Sequence, residues 1–80
     1  MKARIHITLK KGVLDPQGKA IATALDHLGF REVEEVRQGK YIEIDLDGTD
    51  AAQARARVDA MCARLLANTV IENYAIELDA

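Results

Sequence analysis

The side chains able to do covalent chemistry are few and scattered. Cys62 is the single cysteine of the chain. A nucleophilic thiol needs exposure and a base within reach. Cys62 instead shares an apolar helical stripe with Met61 and Leu65, so it reads as a small buried hydrophobe. His6 falls on the polar face of a strand and His27 on the solvent side of a helix. Neither has a ligand partner three or four residues away, and Asp26 is adjacent to His27 rather than on its face, so no metal site is expected. Glu32, Glu34 and Glu35 form an acidic run, and carboxylates without further partners read as a wet edge rather than an acid–base pair. Gly12, Gly18, Gly29, Gly39 and Gly48 never take a phosphate-loop spacing. No nucleophile, base and oxyanion donor assemble, so catalytic, cofactor-binding and metal residues are all expected to be none. An active site is conceivable only if shared between chains.

The elements that must position these residues read as β-α-β-β-α-β. Ala3, Ile5, Ile7 and Leu9 alternate with Arg4, His6, Thr8 and Lys10, the period of a half-buried strand. Asp15 caps a helix with Pro16 at its first position. Ile21, Ala24, Leu25 and Leu28 give it one apolar stripe, and Gly29 suits the left-handed residue after its end. A second strand is predicted over Arg31 to Gln38, with a bulge because Val33 and Val36 are three apart. Gln38-Gly39 reads as a turn, and Lys40 to Asp47 as a third strand. Gly48-Thr49-Asp50 reads as a turn and cap. A second helix is predicted from Ala51 to Ala67, with Ala54, Val58, Met61, Cys62 and Leu65 inward. A final strand runs from Val70 to Asp79. The expectation is one domain over residues 1–80: a two-layer α+β, ferredoxin-like, four-stranded antiparallel sheet in the order 4-1-3-2, with two helices on one face. Gly18 alone has no turn or helix-end explanation. Glycine in a first helical turn is unfavourable by about 1 kcal/mol relative to alanine, so it points to a close backbone approach, with a partner chain one candidate. Asp15-Pro16-Gln17-Gly18 could also offer N–H groups to an anion, or form a solvated loop.

Composition narrows the partners. The chain has 80 residues, 11 Lys and Arg against 13 Asp and Glu, a net charge of −2 and 4% aromatic residues. A nucleic-acid ligand wants a basic face and stacking aromatics, and neither is present. No apolar run is long enough for a membrane span. The N-terminal alternation lacks a signal-peptide core, which predicts a cytoplasmic protein. The basic residues of the first strand should face Glu43, Asp45 and Asp47 on one neighbour and Glu77 and Asp79 on the other. That gives a self-neutralised sheet face, or a face packed on a second subunit.

Three stretches carry a resemblance: Thr8 to Ala20, containing Gly12-Val13-Leu14-Asp15-Pro16-Gln17-Gly18; Val36-Arg37-Gln38-Gly39-Lys40-Tyr41-Ile42-Glu43; and Leu65 to Tyr74. Together they resemble the PurS family, the small subunit of phosphoribosylformylglycinamidine (FGAM) synthase, over essentially the whole chain. Lys11 and Thr69 depart from positions where proline is frequent, and Asn73 from a frequent acidic residue. The resemblance implies a non-catalytic, homodimeric subunit in purine biosynthesis and leaves open whether dimers pair into tetramers. It implies a synthetase partner (PurL) that uses Mg-ATP, and a glutaminase partner (PurQ) that uses glutamine. This chain would bind no cofactor itself, and would bridge the two partners and support ammonia transfer. The matched loops supply the interface candidates: Asp15, Gln17, Gly18, Arg37, Lys40 and Tyr41. The other reading of these residues is a helix cap and a hairpin. A dimeric small-molecule-binding regulatory domain is the alternative function. An RNA-recognition module lacks its exposed sheet aromatics, and a metallochaperone lacks its CxxC loop.

Overall fold

The computed structural model describes residues 1–48 and 50–79. Thr49, expected in the turn before the second helix, lies outside the described residues. The alternation at the N-terminus produces strand β1 (Lys2–Leu9), which buries Ala3, Ile5 and Ile7 completely on one face. Helix α1 (Pro16–His27) follows, then β2 (Gly39–Asp45), helix α2 (Ala51–Met61) continued by a π-turn (Cys62–Leu66), and β3 (Glu72–Asp79). The sheet is antiparallel in the order β2-β1-β3. Ile5 stands opposite Ile42 and Ile76, and Ala3 opposite Ile44 and Leu78. Val58 and Cys62 of α2 close over this row and are themselves fully buried.

On the outer face the charge ladder forms as the alternation requires. Lys2 Nζ lies 3.8 Å from Glu43, and Arg4 pairs with Glu43 and Asp79. His6 Nε2 is 3.3 Å from Glu77. Each exposed pair contributes little alone. Together they leave the central basic strand flanked by carboxylates with no charge needing an outside partner.

The expected fourth strand over Arg31 to Gln38 does not form, and among the described residues the sheet has three strands. No neighbour takes up that backbone: the N–H of Gln38 donates to the Asp15 carboxylate instead of to a strand. The spacing of Val33 and Val36 gives the segment no continuous apolar face. Gly39 is a paired strand residue opposite Thr8, not a turn residue. The remaining strands keep the predicted neighbours, with β1 central.

The two-helix layer is also corrected. Helix α2 packs along β3, whereas α1 makes no comparable contact with any strand or with α2. Residues 10–38 leave the sheet at the end of β1, run out through α1 and return to β2, forming an arm. The Cα radius of gyration is 16.0 Å, against about 12 Å for a compact 80-residue chain. Helix α1 is nonetheless well made. Asp15 caps it, Pro16 starts it, and Gly29 follows its end with φ +100°. Its apolar stripe is left largely open: Leu25 is half-buried, but Ile21 is exposed and Leu28 72% exposed, as are Leu14 and Phe30 beyond the helix ends.

The second helix departs from the predicted stripe at its end. An α-helix through Ala67 would bring Leu65 inward beneath Cys62. The N–H of Ala67 instead donates to the carbonyl of Cys62, 2.9 Å away and five residues back. The extra residue rotates the last turn by about 100°. Leu66 becomes half-buried, Ala67 is buried, and Leu65 is 82% exposed.

Candidate functional site

The base of the arm is the most constructed polar site. Asp15 is buried at the start of α1. One carboxylate oxygen accepts from the N–H of Gly18 at 2.8 Å, the other from the N–H of Gln38 at 2.7 Å. The hydrogen bonds from Gln38 and Gly18, helped by the nearby Arg37 charge, hold this carboxyl below its ordinary value. Asp15 thus ties the outgoing end of the arm to the returning end.

Arg37 ties the same two ends from the other side. Its guanidinium donates to the carbonyls of Val13 (3.2 Å), Lys10 (3.0 Å) and Leu9 (3.3 Å). A planar fork with several donors suits such a carbonyl cluster. Gly18 completes the clamp. A Cβ there would overlap the Val36 carbonyl oxygen. The close approach expected at Gly18 therefore comes from the chain's own returning segment.

The structure brings Asp15, Gly18 and Arg37 together, with Gln17 exposed beside them on the first turn of α1. It separates Lys40 and Tyr41 from that cluster, on opposite faces of β2. Lys40 Nζ donates to the carbonyl of Leu66 (3.4 Å) and pairs with Glu72 (3.5 Å), linking β2 to the π-turn and β3. Tyr41 lies on the outer face, its hydroxyl donating to Glu43 at 3.2 Å and its ring centroid 5.0 Å from that of His6. Desolvation, then Glu43, push the Tyr41 hydroxyl up.

A groove of about 590 Å³ opens between the arm's two ends, lined by Val13, Asp15, Lys19, Thr23, Val36 and Arg37. Two of its charged groups, Asp15 and Arg37, are already engaged within the chain. Burial, then Asp59, raise the Cys62 thiol, so it stays protonated and unreactive at neutral pH. Tyr74 donates to Asp59 at 2.7 Å, which raises the Tyr74 hydroxyl. These groups brace a helix against a strand and set up no nucleophile. Reading the sequence missed the outward Leu65, because a π-turn leaves no periodic signal. It also missed the uncovered side of α1, whose apolar stripe does not say which chain covers it.

The family model of PurS, described as phosphoribosylformylglycinamidine (FGAM) synthase, matches residues 2–80. The PurS subunit of phosphoribosylformylglycinamidine synthase from Synechocystis sp. is 52% identical over 77 residues, covering 96% of this chain and 77% of that relative. The PurS structure from Bacillus subtilis superposes with a TM-score of 0.89 at 43% identity, covering 99% of this chain and 98% of that one. A chain of the PurLQS structure from Thermotoga maritima superposes with a TM-score of 0.87 at 29% identity, covering 95% and 93%. With the family model matched from residue 2 to residue 80 and a relative 52% identical over 96% of this sequence, the chain belongs to the PurS family of FGAM synthase subunits.

Proposed function

We propose that this chain joins a synthetase and a glutaminase as the non-catalytic small subunit of FGAM synthase. The complex would convert formylglycinamide ribonucleotide, glutamine and ATP to the amidine, glutamate, ADP and phosphate. The observation that carries the reading is the likeness, along nearly the whole chain, to a component of a PurLQS assembly. Mg-ATP and glutamine belong to the partner subunits, and this chain holds no cofactor. Its working compartment is the cytoplasm.

Ammonia released from glutamine is largely protonated at neutral pH, and ammonium is a poor nucleophile. A closed path between two sites excludes water and keeps the reactive form. A small bridging chain can complete such a path without doing chemistry. The clamp residues Asp15, Gly18 and Arg37, with Gln17, Lys40 and Tyr41, lie on or near the end of the sheet that we assign to this contact.

The homodimer has its own physical support. An arm of 29 residues carries exposed Leu14, Ile21, Leu28 and Phe30. The inner side of β2, bearing half-buried Ile42 and Ile44 with Leu46 just beyond its end, has no helix packed along it as α2 packs along β3. We assign that uncovered half-sheet to the arm of a second copy.

The test is the glutamine-driven amidine-forming rate of the matching synthetase and glutaminase, with and without this chain, beside an ammonia-supplied control. The chain should restore the glutamine-driven rate and barely change the ammonia-driven one. If neither rate responds and no complex forms, the reading fails. A ligand-induced rise in Tm would then favour the small-molecule-binding regulatory domain.

A further inference from the structure

The chain exposes more surface than its mass calls for. A compact folded chain of 8.8 kDa exposes about 4,800 Å², and this one exposes 5917 Å². The surplus, about 1,100 Å², exceeds the roughly 800 Å² that each partner gives to a standard protein–protein contact. Part of it lies on the arm, at Ile21, Leu28 and Phe30. Another part lies in a trough beside α2. A hollow of about 420 Å³ opens between the end of β2 and α2, with Leu46, Asp47, Gln53, Ala54, Arg57 and Met61 in its lining. A smaller one of about 230 Å³ continues it along α2, past Ala60 to Arg64. Arg57 and Met61 line both, so the two form one continuous surface.

Lengths and directions select what fits this trough. Helix α1 starts at the clamp and leaves the sheet behind. The longest extent of the chain is 48 Å, and β1, at 8 residues, accounts for about 26 Å of it. The arm therefore projects about 20 Å beyond the sheet, close to the roughly 18 Å of a 12-residue helix. Strand β2 leaves the arm base at Gly39, opposite Thr8, and Leu46 bonds Met1 at the far end. Helix α2 begins at that far end and returns, so that Lys40 reaches the Leu66 carbonyl near the arm base. Two copies meeting at their arm bases about a two-fold axis would lay each α1 down the other's trough, with its tip at the far-end hollow. One symmetry operation then covers both apolar surfaces of the chain at once. A foreign subunit would have to supply a trough for the arm and also a helix for the trough. Charge permits the fit: the tip carries Arg31 and Glu32, and the hollow Asp47 and Arg57, both signs on each side.

We propose that α1 of a second copy lies in this trough antiparallel to α2, with Leu28 and Phe30 seated in the hollow between Leu46 and Met61. The proposal rests on the homodimer reading above and adds to it the direction, depth and seat of the arm. Each half of the dimer receives from the other the second covering helix of a two-layer domain. The two-helix layer expected from the sequence is thereby completed between copies rather than within one. Apolar anchors seated in a pocket dominate such contacts.

The experiment is thiol cross-linking of the purified chain with a short bismaleimide, beside sedimentation and circular dichroism. Arg31 and Gln53 are exposed and lie toward opposite ends of a chain 48 Å long. A short reagent therefore joins Arg31→Cys to Gln53→Cys only between copies. The double variant should run as a covalent dimer. The parent, whose Cys62 is buried, should not, and neither should Gln17→Cys combined with Gln53→Cys, because Gln17 stays at the arm base. Ala54→Arg, which puts a long charged side chain into the hollow, should raise the dimer Kd about 10-fold or more with the circular dichroism unchanged. A dimeric parent whose Arg31/Gln53 variant does not link overturns the seat and leaves the homodimer standing. Linking through Gln17 in place of Arg31 also overturns it, by reversing the helix. A monomeric parent overturns the homodimer and the seat with it; loss of synthetase binding in Leu28→Asp would then give the arm to that subunit.

Discussion

Replacing Gly18 with alanine sets two physical effects against each other. Helix propensity alone favours alanine by about 1 kcal/mol. The structure opposes it: the new methyl would overlap the Val36 carbonyl oxygen and press on the Asp15 carboxylate at 2.8 Å. The obstacle at Val36 is backbone, so the returning segment must shift as a unit. That segment is held on either side by the Gln38 N–H to Asp15 and by Arg37 on three carbonyls. Overpacking against an obstacle that cannot swing aside falls in the upper part of its usual range, about 2–3 kcal/mol, which outweighs the propensity gain. We expect Gly18→Ala to lower stability by about 1–2 kcal/mol, and Tm by about 4–16 °C for a chain of this size. Protomer concentration must be fixed across the comparison, because the proposed dimer would make Tm depend on it. Gln17→Ala, exposed on the same turn, is the control and should melt within about a degree or two of the parent. Amide exchange at Gln38 should quicken in Gly18→Ala because its acceptor is displaced. A Tm equal to or above the parent's would refute the reasoning, since Val36 could not then occupy the space the clamp requires.

Three further expectations follow from the same geometry. The Asp15 carboxyl has a folded value below its ordinary 3.8, so its contribution is fully present above that pH and is lost as pH falls through the lower folded value; the Tm gap between parent and Asp15→Asn should narrow below about pH 4 in a melting series. Arg37→Lys keeps the charge but not the fork over three carbonyls, so it should loosen the arm nearly as much as Arg37→Ala, read as faster amide exchange across residues 13–38; full rescue by lysine would show that charge alone matters. If the proposed dimer uses the arm, Leu28→Asp, on the exposed stripe of α1, should leave the circular dichroism intact and shift the sedimenting species toward monomer, and an unchanged mass at equal concentration would remove the arm from that contact.

How far the sequence could be read depended on which force set each feature. Ile5 and Ile7 alternate strictly, and a period of two has one structural solution, so β1 and its buried row were legible. The outer ladder of Lys2, Arg4 and His6 against Glu43, Asp45, Glu77 and Asp79 followed from the same alternation. Asp15 and Pro16 marked the helix start because capping is local chemistry, and Gly18 announced a close approach without naming what approached. The strand expected over Arg31 to Gln38 failed because strand formation needs a neighbour, and pattern cannot supply one. The stripe of α1 was visible as a pattern, but its destination was not. Leu65 was misplaced because one extra residue in a turn rotates everything after it while leaving composition untouched. The candidate site was legible to the same extent: the matched loops containing Asp15, Gly18 and Arg37 do converge, whereas Lys40 and Tyr41, adjacent in sequence, are sent to opposite faces of β2 by its pleat.

The clamp and the exposed apolar surfaces are better understood together than apart. Association is opposed by the ordering of whatever must be held still in the complex. A 29-residue arm left free would carry a large ordering penalty, and the area on Ile21, Leu28 and Phe30 would have to overcome it. The clamp removes part of that penalty in advance by joining residues 9–13 to residue 37 and residue 15 to residue 38. Polar contacts within the chain thereby set the direction of the arm, leaving its apolar contacts to supply affinity. Clamp variants and stripe variants should then weaken association by different routes. Loss of the clamp leaves the apolar contacts intact but adds a conformational tax, which falls on the fraction of molecules competent to bind. Loss of the stripe leaves every molecule competent but removes contact area, which speeds dissociation. Association and dissociation rates measured for Arg37→Ala and Leu28→Asp on one pair of partners would separate the two. Arg37→Ala should act mainly on association and Leu28→Asp mainly on dissociation, and identical kinetic signatures would mean that the clamp does not set the direction of the arm.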